Sequence, residues 1–319
     1  MEALLEVKNL SIGIKRGGDL LSSVEDVSFD IYPGEILGIV GESGSGKTLT
    51  ALSISSLLGE NKEITSGSIL YNGVDLLTLS EKKMEAIRGK EISMVFQEPF
   101  SSLNPLLKIG SQIGEGLLLH GEKDKALVKS RAKDLMEKLG LPDTYPHRLS
   151  GGMCQRAMIA IAIICGPRLL IADEPTTALD HDTQSKIIAL LKEINRDMGT
   201  SILFISHDIE VIKELCGRVL VMYSGRILEQ GNTDEVFSNP AHEYTRGLIN
   251  SVPSAAMRGK ALAAIPGKIP SLEEGRPSGC PFHPRCAKAT PECKRDFPPV
   301  RKIGANRTTR CILGELNGK

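Results

Sequence analysis

Ile36-Leu-Gly-Ile-Val40, Gly41-Glu-Ser-Gly-Ser-Gly-Lys47-Thr48 and Leu49 to Leu58 follow one another without a break, and their reading decides the fold. The first is a short apolar β-run. The second is a glycine-rich turn, and the third has helical length and stops at Gly59. The central eight residues match the phosphate-binding pattern G-x-x-x-x-G-K-[ST], set between strand and helix as its mechanism requires. Gly41, Gly44 and Gly46, with Ser43 and Ser45 between them, let backbone N–H groups close around phosphate oxygens, and the helix starting near Lys47 adds the partial charge of its N-terminus. Lys47 should reach the β- and γ-phosphates of a nucleoside triphosphate, and the Thr48 hydroxyl should bind Mg2+.

Outward from this stretch, Leu4 to Leu10 and Val24 to Ile31 read as antiparallel strands, the second ending at the Pro33-Gly34 turn. Apolar runs at Ile92 to Phe96, Leu169 to Ala172, Ile202 to Ile205 and Val219 to Met222 have the character of buried strands of a mostly parallel sheet. Between Asp182 and Gly199, Ile187, Leu190, Leu191, Ile194 and Met198 keep helical spacing, with Gly199 as the stop. The segment from Glu98 to Leu149, with Lys125 to Leu139 inside it, breaks the βα alternation and reads as an inserted helical subdomain. Beyond Gly231 proline, glycine and serine dominate, so a domain boundary is expected near residues 235–250, followed by a tail with little regular structure.

Two further stretches carry chemistry. Leu169-Leu-Ile-Ala-Asp173-Glu174 is an apolar strand ending in two carboxylates, costly to bury unless they are used. Beside a phosphate loop the first can hold Mg2+, and the second can orient or deprotonate an attacking water. In Leu149-Ser150-Gly151-Gly152-Met153-Cys154-Gln155-Arg156, Ser150 is a good N-cap and the glycines expose backbone N–H groups. On the residues alone this is a second anion site or a flexible cap.

In order, the phosphate loop, Gln97, the Leu-Ser-Gly-Gly run, the acidic strand end, Ala178-Leu179-Asp180 and Ser206-His207-Asp208 resemble the motifs of ATP-binding cassette (ABC) ATPases over about residues 4–230. The resemblance implies an α/β P-loop NTPase core, mostly parallel sheet with an antiparallel β subdomain, an inserted helical subdomain at about 98–160, and an ATPase domain over 1–240. It implies that Glu174 is the catalytic carboxylate, that His207 contacts the γ-phosphate, and that Gln97 contacts Mg2+ and the attacking water and relays the nucleotide state. Mg2+ would be held by Thr48, Gln97 and Asp173. Ser150, Gly151, Gly152 and Gln155 would bind ATP held by an opposing subunit, since two cassettes sandwich two nucleotides. Where the family places an aromatic to stack on adenine, this chain reads Ile12-Gly-Ile14-Lys15-Arg16-Gly17, so Ile14 or Arg16 would take that contact.

Phe96 to Pro105, Ala172 to Asp180, His242-Glu-Tyr-Thr-Arg-Gly-Leu248 and Gly279-Cys-Pro-Phe-His-Pro-Arg-Cys286 are similar to the ATP-binding subunits of dipeptide and oligopeptide importers, wording that nickel importers share. That resemblance implies two transmembrane permease subunits, a second related or identical ATPase subunit, an extracytoplasmic solute-binding protein acting indirectly, and a place on the cytoplasmic face of the membrane. A soluble ABC ATPase acting on nucleic acid or ribosomes is the alternative class.

Cys280, Cys286, Cys293 and Cys311 stand in a proline-rich region, 241–319, with few core-forming residues, where four thiolates would supply a staple. Soft S4 ligation suits Zn2+ or an iron–sulfur cluster, and the spacings fit neither common pattern closely. Resemblance to cluster-bearing importer ATPases favours [4Fe–4S], with Zn2+ second and unliganded thiols third. Cys165 and Cys216 are expected in helices as small core residues.

Composition bounds these readings. The 319 residues are 41% hydrophobic and 24% charged, so the chain should fold with a core rather than stay disordered. Lys plus Arg and Asp plus Glu each number 39, so the formal charge is zero and a non-specific nucleic-acid binder is disfavoured. Tryptophan is absent and aromatics are 4%, which argues against base-stacking platforms. No run approaches the roughly 18 apolar residues of a spanning helix, and the N-terminus lacks a basic segment before an apolar run, so a cytoplasmic location without a secretory signal is expected.

Overall fold

The structure is a computed structural model that describes residues 2–252 and 264–314; residues 253–263 and 315–319 of the expected C-terminal region lie outside the described residues. The chain forms two compact units. The phosphate-loop unit contains Leu5–Asp30, Leu37–Val74 and the described residues from Ser206 onward. It opens with strands β1 (Leu5–Arg16) and β2 (Asp19–Ile31), continues through β3 (Ile36–Val40) and helix α1 (Lys47–Ile54), and returns as β4 (Lys62–Tyr71) and β5 (Val74–Asp75). Strand order β2-β1-β4-β5 makes an antiparallel sheet, with β1 against β4 from Leu5↔Tyr71 to Ile14↔Lys62. Its apolar residues Leu5, Val7, Leu10 and Ile12 are fully buried.

Helix α1 ends at Ile54, four residues short of the expected Leu58. Serines explain the early stop. Ser53 Oγ donates to Thr50 O, and Ser56, whose N–H bonds to Ser53 O, takes φ +51°, which turns the chain out of the helix.

The helical unit is built on Ile31–Ile36 and Asp75–Ile205 with the N-terminal residues 2–4. After α2 (Glu81–Ile87) come three parallel strands: β6 (Ile92–Val95), then β7 (Leu169–Asp173), then β8 (Ser201–Ser206). Between β6 and β7 lie α3 (Pro99–Ser102), α4 (Ile109–Leu119), α5 (Lys125–Lys138) and α6 (Gly151–Ile163), which pack on one another. Asp124 caps α5 by accepting from the N–H groups of Ala126 and Leu127. Helix α7 (His181–Met198) crosses from β7 to β8, capped by Asp180 at its start and by left-handed Gly199 at its end. Its apolar face, Ile187, Leu190, Leu191 and Ile194, is buried as the spacing requires.

The phosphate-loop unit resumes with α8 (Ile209–Leu215), β9 (Arg218–Tyr223), β10 (Arg226–Asn232), α9 (Thr233–Ser238) and α10 (Glu243–Ser251). Strand β9 runs parallel to β3 and antiparallel to β10. Cys165 and Cys216 lie just past the ends of α6 and α8 rather than inside helices, and only Cys216 is buried.

The C-terminal region is mostly irregular, but β11 (Arg301–Gly304) and β12 (Arg307–Thr309) form a hairpin whose second strand pairs with β10, so the expectation of a tail with little regular structure needs that correction. A buried ion pair anchors it. Arg307, 4% exposed, donates to the fully buried Glu229 at 2.8 Å, and Glu229 also accepts from the Ala241 and His242 N–H groups. Gly231 makes room for the arginine stem: a Cβ there would lie 2.9 Å from Arg307 Cγ. Breaking a buried pair from one side strands a charge, so Arg307→Ala should destabilise the full chain by about 3–5 kcal/mol, measured as a fall in its urea midpoint. An unchanged midpoint would mean that Glu229 is solvated in the folded chain.

Candidate functional site

The phosphate loop is shaped by contacts among its own residues. Lys47, 4% exposed, donates from Nζ to Gly41 O at 2.8 Å and Glu42 O at 3.0 Å, with Ser45 Oγ at 3.5 Å. Gly44 and Gly46 take φ +79° and +99°, which side-chain-bearing residues rarely adopt. A Cβ on Gly41 would lie 2.1 Å from Met222 O, so that site admits nothing larger. Gly46 is the N-cap of α1 and supplies no side chain to the first-turn amides, which leaves that helix end available to an anion.

A cavity of about 320 Å3 lies beside Ser43 and Gly44, lined also by Ser22, Ser23, Leu272 and Arg276. Neither Ile14 nor Arg16, expected to contact a base, lines it. Ile14 is half-buried, and Arg16 forms an exposed ion pair with Glu273 at 2.8 Å. His207, in the same unit, is exposed between β8 and the Asp208 cap of α8.

In the helical unit, β7 ends in the buried Asp173 and the half-buried Glu174. Glu174 takes φ +47°, a conformation unusual for a side-chain-bearing residue, and its N–H donates to Ile205 O at 3.0 Å. Its carboxylate accepts from Thr177 Oγ1 at 2.8 Å and from Gln97 Nε2 at 3.4 Å. The strained backbone and two donors aim one oxygen.

Ser150 caps α6 by accepting from Met153 N–H at 3.4 Å, and is exposed with Gly151 and Gly152 half-buried beside it. A Cβ on Gly152 would lie 2.3 Å from Thr183 Cγ2, and Thr183 donates both N–H and Oγ1 to Asp180. Those bonds hold the Asp180 carboxyl below the usual range. Gln155, expected among contacts to an opposing nucleotide, is 2% exposed in the stretch of α6 where Cys154, Ala157, Met158 and Ile159 are buried too. Its side chain therefore faces inward, whereas Ser150 at the start of the helix is exposed.

Cys280, Cys286, Cys293 and Cys311 line one small cavity with Phe282 and His242. Burial pushes the Cys280 thiol up to about 12, and raises Cys286 and Cys311 as well. Cys280 Sγ lies 3.9 Å from His242 Nε2, and Cys293 Sγ 3.6 Å from Thr290 Oγ1. Among the described residues no group of three or more His, Cys, Asp or Glu side chains is arranged to hold a metal ion. All four cysteines nonetheless line the same cavity, and sulfur donors are the chemistry that a soft centre takes.

Residues 24–177 match the family model described as ABC transporter, and residues 228–293 match that for the oligopeptide/dipeptide transporter C-terminal region. The chain is 43% identical to the oligopeptide transport ATP-binding protein OppD of Escherichia coli, covering 98% of this chain and 93% of that protein. It is 43% identical to the dipeptide transport ATP-binding protein DppD of Bacillus subtilis, over 98% and 95%. The chain belongs to the ABC transporter ATP-binding family. The dimeric cassette MJ0796 in a post-hydrolysis state bound to ADP and Pi superposes with a TM-score of 0.65 at 28% identity, covering 72% of this chain and 98% of that one.

For an ABC ATPase, the α/β fold with parallel and mixed sheet and an antiparallel β subdomain is the cassette architecture that the sequence motifs imply. The sequence did not point to Thr177 as a partner of Glu174; its only signal was a threonine three residues after the carboxylate in Glu174-Pro-Thr-Thr177. Nor did it bring Gln97 onto the same oxygen, because 77 residues separate the two.

Proposed function

We propose that this ABC ATPase hydrolyses ATP to energise import of dipeptides or oligopeptides, a reading carried by its 43% identity to two peptide-transport ATP-binding proteins over nearly their full lengths. Residues 1–240 form the ATPase domain and 241–319 the region typical of peptide transporters, in keeping with the match at 228–293. Gly41, Ser43, Gly44, Ser45, Gly46 and Lys47 bind the phosphates, and Thr48 and Asp173 hold Mg2+ with Gln97. Bound there, Mg2+ would neutralise charge on the phosphates during transfer. Glu174 orients a water and accepts its proton as the new O–P bond forms and the bond to ADP breaks. His207 contacts the γ-phosphate, and Ser150, Gly151 and Gly152 complete the site of a second ATPase subunit.

Two permeases receive the motion, with a solute-binding protein delivering cargo on the other side. Support for a docking face comes from Phe100, Leu106 and Leu107, which follow Gln97 within ten residues and are exposed by 59, 81 and 41%. Among the described residues no helix is long and apolar enough to cross a membrane, so attachment at the cytoplasmic face would come through those permeases. In vesicles carrying the assembled transporter, ATP should drive uptake of labelled peptides; uptake of nickel but not of peptide would move the chain to the small-solute reading. Zero net charge disfavours the nucleic-acid class.

The four cysteines hold a [4Fe–4S] cluster, with Zn2+ as second choice; bound as thiolates, Cys280, Cys286 and Cys311 would give up the protons that burial now favours. Chain purified without oxygen should show visible charge-transfer absorbance and about four irons, both lost in Cys280→Ser. Stoichiometric zinc without iron would select the second choice, and neither metal would leave free thiols.

A further inference from the structure

Arg285 lies in the turn His283–Arg285, between Cys280 and Cys286, with its side chain only 7% exposed. Its guanidinium forks onto one carboxylate: Nη1 donates to Glu42 Oε2 at 2.7 Å and Nη2 to Glu42 Oε1 at 3.1 Å. Further donors are used as well: Nε donates to Pro266 O at 2.7 Å, Nη1 to Tyr223 Oη at 3.4 Å and Nη2 to Ile265 O at 3.4 Å. Glu42 is the second residue of the phosphate loop. Its N–H donates to Tyr244 Oη at 2.9 Å, and its carbonyl accepts from Lys47 Nζ at 3.0 Å and from Ser45 N–H at 3.2 Å. Phe282 packs against Tyr223 and Tyr244 with ring centroids 5.4 and 5.3 Å away, and the Arg285 guanidinium carbon lies 5.7 Å from the Tyr223 ring and 6.0 Å from the Phe282 ring.

We propose that Arg285 is a positioning residue for nucleotide binding: through the Glu42 carboxylate it fixes the backbone at the start of the phosphate loop, and with it the shape in which the N–H groups of Ser43 and Gly44 are presented to phosphate. Arg285 thereby sets the affinity of the loop through Glu42. A paired, forked carboxylate contact holds direction as well as distance, which a loop built on Gly41 and Gly44 lacks by itself. This inference rests on the reading of residues 41–48 as the nucleotide site.

The test is MgATP binding to the full-length chain by titration calorimetry, with Arg285→Ala, Glu42→Ala, the double variant and Arg285→Lys. Each alanine variant should weaken binding about tenfold, the scale of one charge-assisted contact. The double variant should be no weaker than either single, because the two act as one device. Lysine, a single point charge in place of a fork, should recover part of the loss. In the assembled transporter the KM for ATP should rise while kcat changes less than twofold, since loop shape serves ground state and transition state alike. Single variants that bind within twofold of the parent, or losses that multiply in the double variant, overturn the proposal. Should Arg285→Ala fail to fold, Glu42→Gln leaves the C-terminal region intact while removing the charge, and unchanged affinity there overturns it equally. A parent chain that binds no MgATP would instead defeat the nucleotide reading.

Discussion

Glu174→Gln should leave MgATP binding within about twofold of the parent and cut steady-state hydrolysis by about 10²–10⁴-fold, the span that a positioned general base supplies. The geometry says why the two quantities separate. Glutamine has the shape of glutamate and keeps an oxygen that can accept from Thr177 Oγ1, so the φ +47° turn at the end of β7 should persist. What it loses is the capacity to accept a proton from water. Phosphate release by the assembled transporter, beside binding by the purified chain, measures both. Hydrolysis at the parent rate would remove Glu174 from the chemistry and leave its strained backbone without a catalytic reason. The Thr177 and Gln97 contacts would then be read as loop structure alone.

How far such a site could be read from sequence depends on how local its causes are. The phosphate loop was legible because strand, glycine spacing and helix are contiguous between Ile36 and Ile54, and each is dictated by its own residues. The crossover helix was legible for the same reason, with Asp180 and Gly199 marking its ends. The end of α1 was not, since Ser53 and Ser56 redirect hydrogen bonds that apolar periodicity cannot register.

Contacts distant in sequence escaped altogether. Glu42 and Arg285 are 243 residues apart, and nothing in Gly41-Glu-Ser announces a partner in the cysteine region. Arg16 was an expected base contact on its position alone; the structure pairs it with Glu273, a residue whose neighbourhood only the folded tail defines. The β11–β12 hairpin was missed because β12 spans three residues, too short for any periodicity to show, and its reason to exist is a buried carboxylate on β10. The motif alone does not separate Gln155 from Ser150, whereas the fold does, burying the first and exposing the second.

Lys47→Ala is the complementary experiment, expected to weaken MgATP binding by about 10²–10³-fold, the loss that follows removal of one partner from a buried charge contact. Lys47 Nζ bonds the carbonyls of Gly41 and Glu42, neutral acceptors that belong to its own loop. Gripping a phosphate means exchanging neutral acceptors for anionic oxygens, and hydrogen bonds between charged groups are about twice as strong as neutral ones. Alanine removes that gain and also the ammonium that draws the ends of the loop together. Two effects then act in one direction on affinity. Thermal unfolding of Lys47→Ala distinguishes them: a melting point near that of the parent assigns the loss to the missing charge, whereas a large fall assigns part of it to the loop. The outcome is opposite in kind to that of Glu174→Gln, which should keep the nucleotide and stop the reaction. Binding by Lys47→Ala equal to the parent would mean that the triphosphate is held elsewhere, and the roles given to Thr48 and Asp173 would fall with it.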